Sequence, residues 1–122
     1  MRESGYRPRV TEHEPRSCDA ALTRAFQFLG MRWNGVILAT LQTGPTGFTQ
    51  LRRDVDGITD SVLSSRLTLL ADAGLVLRTV TDSRPPGVSY ELTDAGRALL
   101  PVLDQLAGWA ASNLPSALAT NA

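Results

Sequence analysis

The chain has no lysine. All twelve of its basic side chains are arginine, and twelve acidic ones cancel them to a formal net charge of zero. Bulk charge therefore gives no drive toward a polyanion, and any anion recognition must come from where the arginines are placed. Cysteine is almost absent: Cys18 stands alone, which excludes an intrachain disulfide and fits a reducing compartment. The single histidine, His13, cannot complete a metal cluster with it, so no metal and no cofactor are expected. One Cys, one His and scattered Asp residues supply no nucleophile, base and orienting group, and the chain does not read as an enzyme. No apolar run approaches the roughly 20 residues that cross a bilayer, and residues 1–17 lack a signal-peptide stretch, so a cytoplasmic setting without membrane contact is expected.

What is present suits one domain of 122 residues, 43% of them apolar. Residues 1–17 are polar, hold Pro8 and Pro15, and mix arginines with glutamates, which predicts a mobile arm. From Asp19 a helical pattern runs through Leu22, Ala25, Phe26 and Leu29 to Gly30. Trp33, Val36, Ile37, Ala39 and Leu41 predict a second, central helix that is apolar on most sides and ends at the breaker run Gly44 to Gly47. Phe48, Leu51 and Val55 make the inner stripe of a short third helix. Thr59 or Asp60 then caps a fourth through Ala73, with Val62, Leu63, Leu67 and Leu70 inside and Gly74 as the stop.

Beyond Gly74 the period changes. Leu75 to Thr81 and Val88 to Leu92 predict a β-hairpin whose tip holds Arg84, Pro85 and Pro86. Thr93 caps a last helix to about Leu114, bent at Pro101, leaving a tail at 115–122. The order has no alternation of strands with crossover helices, which excludes parallel α/β folds. The expected class is mainly α with a small β-hairpin (α+β): a winged helix-turn-helix at 18–114.

The fourth helix carries the sharpest signal. Opposite its core stripe it presents Ser61, Ser64, Ser65 and Thr68. Solvated helix faces are usually filled with strong helix formers, whereas serine and threonine weaken a helix by tenths of a kcal/mol each. Short hydroxyl side chains suit a helix that must bring its backbone close to base edges in a major groove. Ser61, Ser64 and Ser65 are therefore candidate DNA-binding residues, with Arg66 on the same helix, Arg52 and Arg53 on the preceding one, Arg78 on the wing strand and Arg84 at its tip. The alternative is a protein-interaction module using the same surfaces, which the neutral net charge keeps open.

The stretch ITDSVLSSRLTLLADAGLVLRTV followed by RPPGVSYELTDAGRALLPVL closely resembles the HxlR family of winged-helix regulators, within the MarR-like group. Upstream, CDAALTRAFQFLGMRWNGVILATLQTGPTGFTQLRR resembles the family's opening, and the likeness covers about residues 18–110. Where the family usually shows Gly and Lys before the tryptophan, this chain has Met31 and Arg32. The resemblance implies a bacterial transcriptional regulator, expected to act as a repressor. It further implies a homodimer joined through N- and C-terminal helices, with the serine-rich helix in the major groove, Thr59 and Asp60 joining Ser61, Ser64, Ser65 and Arg66 as its DNA-binding residues, and the wing near the minor groove of double-stranded DNA. Some relatives use a cysteine at the position of Cys18 as a thiol switch, which makes Cys18 a candidate redox sensor.

A dimer is also expected from the residues themselves. The last helix has two apolar stripes, more than one small domain covers, so Leu103, Leu106, Trp109 and Ala110 are candidate interface residues together with Leu22 and Phe26. A two-fold dimer predicts an inverted-repeat operator with half-sites about 10 bp apart. An oxidant acting at Cys18, or a small molecule near Met31, Trp33 and Trp109, is the candidate effector.

Overall fold

The structure, a computed structural model, describes residues 14–82 and 84–116, with side chains from residue 19 onward. Five helices and a small sheet follow the order α1 (Glu14–Leu29), α2 (Asn34–Thr40), β1 (Thr46–Gly47), α3 (Phe48–Asp54), α4 (Asp60–Asp72), β2 (Val76–Thr81), β3 (Gly87–Leu92) and α5 (Asp94–Asn113). The chain divides into an N-terminal unit, residues 1–31, and a second unit from Arg32 onward.

In the first unit α1 starts at Glu14, five residues before the expected Asp19. Pro15 does not prevent this, because first-turn amides have no partner within the helix and proline has none to lose. Most of the expected arm, residues 1–13, lies outside the described residues. The helix closes where the Gly30 amide donates to the Phe26 carbonyl at 2.7 Å. Leu22 and Phe26, one turn apart, are both exposed, at 55% and 63%.

The second unit is built around α2. Ile37, Leu38 and Leu41 fall on one helical stripe and are fully buried. Val36 departs from the burial expected of a central helix apolar on most sides: it lies off that stripe and is exposed. Leu51 and Val55 around α3, Ile58, and Leu63, Leu67 and Leu70 from α4 complete the helical part of the core, and Val76, Tyr90 and Leu92 close it from the sheet. A 3-10 turn, Leu41–Thr43, ends at Gly44 with φ of 127°, a backbone that favours glycine.

The sheet has three strands in the order β1-β3-β2, not the two of the expected hairpin. Thr46 and Gly47, read in the sequence as part of a breaker run, pair antiparallel with Tyr90 and Ser89 and cover one edge of β3. Two residues are too few to show alternation, so the sequence carries no strand signal there. β2 and β3 form the wing, in register from Val76↔Leu92 to Thr81↔Gly87. At the outer end Thr81 Oγ1 donates to the Gly87 carbonyl and accepts from the Gly87 amide, closing the strands below the tip.

α5 begins with Thr93 as its cap, its Oγ1 accepting from the Gly96 amide at 3.2 Å and donating to the Gly74 carbonyl at 2.7 Å. One hydroxyl thus ties the start of α5 to the turn that ends α4. Gly96 is required there, since a Cβ would run into the Leu75 carbonyl oxygen. The helix continues through Pro101 to Asn113, packs against α2 and β3, and leaves Val102, Leu106 and Trp109 exposed on one stripe, while Leu99, Leu103 and Ala110 are half-buried. Among the described residues no helix is long and apolar enough to cross a membrane, and no group of His, Cys, Asp and Glu is placed to hold a metal ion.

Candidate nucleic-acid interface

α3, α4 and the wing converge on one surface, and α4 is its centre. Thr59 is extended, at φ −88° and ψ 160°, and its Oγ1 accepts from the Val62 amide at 3.2 Å. That hydrogen bond satisfies one of the unpaired amides of the first turn. Asp60 follows in the same turn, where a carboxylate favours the positive end of the helix dipole. At the other end the Leu75 amide reaches back to the Leu70 carbonyl at 3.0 Å and the Gly74 amide to Ala71 at 3.0 Å, with Gly74 at φ 81°. This left-handed stop turns the chain directly into β2.

Between these caps α4 divides cleanly. Leu63, Leu67 and Leu70 are buried, and Ser61, Ser64, Ser65 and Thr68 are all exposed on the far side. Thr68 Oγ1 donates to the Ser64 carbonyl at 3.1 Å, so its hydrogen is spent within the helix. No such bond engages the hydroxyls of Ser61, Ser64 or Ser65 among the described residues. Beside this face runs a groove of about 420 Å³ lined by Ser64, Thr68 and Asp72 from α4 and by Arg78 and Tyr90 from the wing. Arg78 and Tyr90 are direct partners across β2 and β3, an exposed arginine beside a buried tyrosine. Tyr90 was not among the residues expected at the site. Its place beside Arg78 follows from strand register, which the sequence does not state.

The arginines separate into three groups. Arg78 and Arg84 are exposed and have no ion-pair partner among the described residues, and Arg84 lies with Asp82, Pro85 and Pro86 around a hollow at the wing tip. Arg52 and Arg53, in the last turn of α3, are exposed but engaged. Arg52 Nε meets Asp60 Oδ1 at 2.9 Å, and Arg53 Nη1 donates to Gln50 Oε1 at 3.3 Å while Gln50 Nε2 donates to Asp54 at 2.8 Å. Arg66 is the third case. It falls on the flank of α4 with Val62 and Leu69, all three half-buried, away from the serines, and its Nε is buried without a hydrogen-bond partner. The structure therefore brings Ser64 and Thr68 together with Arg78, keeps Ser61 and Ser65 exposed on the same side of α4, and does not bring Arg66 to them.

Arg32, which stands where the family usually has Lys, is exposed and lies over the Trp33 ring at 4.8 Å, a cation–π contact. Cys18 falls within α1, and its side chain lies outside the described residues.

The fold and this surface have known counterparts. The family model for the HxlR-like helix-turn-helix matches residues 28–117. An HTH-type transcriptional regulator of Methanothermobacter thermautotrophicus is 36% identical over 81 residues, 66% of this chain but only 62% of that protein's own length. The HTH-type transcriptional regulator YodB of Bacillus subtilis is 37% identical over 86 residues, covering 70% of this chain and 77% of the relative. The structure of YodB in its reduced form superposes with a TM-score of 0.72 at 34% identity, over 77% of this chain and 92% of that one. The redox regulator HypR in its reduced form gives 0.72 at 31% identity, over 82% and 98%. With a cap-bounded α4 set between α3 and a two-stranded wing, and a family match over most of its length, the chain belongs to the HxlR-like helix-turn-helix family of winged-helix transcriptional regulators.

Proposed function

We propose that the protein is a sequence-specific DNA-binding regulator that acts as a homodimer on an inverted-repeat operator and represses by occupying a promoter. The observation that carries this is the exposed side of α4: three serine hydroxyls without a partner among the described residues stand on a helix seated by the buried Leu63, Leu67 and Leu70. A rigidly seated helix with short polar side chains is what close approach to base edges in the major groove requires. Arg78 and Arg84 on the wing then face the phosphates and minor groove beside the α4 contact, and the paired Arg52 and Arg53 flank its other side.

Dimerisation uses α5 and α1. Val102, Leu106 and Trp109 form an exposed apolar stripe at 53%, 45% and 55%, and Leu22 and Phe26 form another on α1. Exposed apolar stripes of this kind mark an interface, and Trp109 is the natural anchor of the one on α5. Leu103 and Ala110, half-buried, border the stripe.

Cys18 is proposed as the point of oxidant control, because YodB and HypR have structures defined by redox state. As the only cysteine in the chain, it can form a disulfide only with another molecule.

The test is selection of bound duplexes from a randomised pool, followed by a salt titration. Inverted repeats with half-sites about 10 bp apart are expected. Affinity should fall log-linearly with salt as phosphate counterions are released. Recovery of no preferred sequence, or affinity indifferent to salt, would instead favour the protein-interaction module.

A further inference from the structure

We infer that Asp60 is a positioning residue for DNA binding: its carboxylate holds the Arg52 guanidinium in a phosphate-facing pose across the turn between α3 and α4. This deepens the DNA-binding reading and rests on it.

Asp60 presents a difficulty for that reading. Its side chain is 70% exposed in the first turn of α4, the end that enters the groove, where a bare carboxylate would face a polyanion. The dipole of α4 favours the carboxylate at that position, yet Thr59 already supplies the cap through its own hydroxyl. The helix start therefore has its hydrogen bond without Asp60.

What Asp60 does have is Arg52. The contact runs from Nε at 2.9 Å, and among the described residues Arg52 has no other partner. Of the five guanidinium donors one is directed at Asp60, which leaves the two Nη groups, with their planar fork, for a second acceptor. An exposed pair of this kind adds little to stability and costs side-chain entropy to hold. Its effect is on order: a long side chain that would sample many rotamers is fixed before any ligand arrives, so less entropy is lost on binding. Asp60 loses its repulsion in the same contact. Arg53 is held similarly by Gln50, whereas Arg78 and Arg84 have no such brace among the described residues.

The test is a double-mutant cycle on a duplex selected from the randomised pool by the wild-type protein, with a mixed-sequence duplex of equal length as control. In the wild-type background Asp60→Ala is expected to lower affinity for the selected duplex by about 3-fold, on the scale of exposed charge pairs. In an Arg52→Ala background the same substitution is expected to raise affinity, because it then removes only an unpaired anion. Arg52→Ala alone should also reduce the salt slope by about 1. Asp60→Glu should restore binding.

This reversal of sign is the signature, since no structural or purely repulsive role produces it. A rise in both backgrounds would make Asp60 a simple repulsive charge, and a fall in both would make it a stabiliser of α4. Either result, or no change, overturns the proposal. Thermal melting of each variant confirms that the fold persists. If the wild-type protein retains no duplex at all, the DNA-binding reading itself fails, and this proposal with it.

Discussion

α4 buries a stripe of leucines in the core while α5 packs half-buried positions against α2 and β3, and the two helices present opposite chemistry on their exposed sides. The exposed positions of α4 include Ser61, Ser64, Ser65 and Thr68; those of α5 include, among polar neighbours such as Asp104 and Gln105, the large apolar Val102, Leu106 and Trp109. Neither is the ordinary choice. A helix face meant only for water gains from Glu, Lys and Arg, which favour the helix and keep it soluble. Hydroxyls give up helix propensity, and an exposed tryptophan gives up the transfer free energy of its ring. The two departures point to different partners: polar edges that must be approached closely for α4, and an apolar surface for α5.

The largest effect should come from breaking α5. Trp109→Glu or Leu106→Glu places a charge in the proposed interface and is expected to turn the dimer into a monomer in sedimentation velocity. Operator affinity should drop by about 100- to 10,000-fold as the second half-site contact is lost. The matching change on α4, Ser65→Glu, should abolish operator binding while leaving the oligomeric state intact. If both substitutions changed oligomeric state alike, the assignment of the two faces would be wrong.

Next comes the contrast within α4 itself. Leu67→Ala, at a site with 1% exposure, should cost about 2–5 kcal/mol in a denaturant titration. Ser64→Ala, three residues earlier, should leave folding nearly untouched. In binding the order reverses: Ser64→Ala and Ser65→Ala should shift which operator bases are preferred, by about 1–3 kcal/mol of discrimination at the bases contacted. A selection repeated with each variant reads this directly.

These contrasts were legible in the sequence to different depths. The burial of Leu63, Leu67 and Leu70 against exposed Ser61, Ser64 and Ser65 follows from helical period alone; residue type marks the caps, Thr93 directly and Thr59 as one of two candidates with Asp60. The same period, applied strictly, sets Arg66 apart from the serines, where its half-buried place beside Val62 and Leu69 is found. β1 was not legible, because a two-residue strand exists only through its pairing with Tyr90 and Ser89. Nor was the Arg52–Asp60 contact: residues on two helices meet only once the turn between them is folded. Local periodicity gave the faces, and tertiary register gave the partners.

A smaller effect separates the wing from α4. Arg84→Ala should weaken binding to the selected duplex and to a mixed-sequence duplex by the same factor, and reduce the magnitude of the salt slope by about 1. Arg78→Ala should do likewise, with some loss of preference, because Arg78 shares its groove with Ser64. A wing variant that altered sequence preference more than Ser64→Ala does would move the reading element from α4 to the hairpin.

The smallest expected change is the most exacting test of why α4 is built from hydroxyls. Thr68 already donates its proton to the Ser64 carbonyl one turn back, a bond that competes with the helix's own pattern. Thr68→Ala removes that competition and a β-branched side chain together, so the protein should gain a few tenths of a kcal/mol of stability. Because the hydroxyl is committed to the backbone, its loss should alter operator preference less than loss of the free hydroxyls of Ser64 or Ser65. A face kept for water would gain stability with alanine at all three positions and lose nothing in binding. A face kept for DNA gains stability at each and loses recognition unequally, with Thr68 the mildest, and comparing the three variants by thermal melt and by operator selection decides between them.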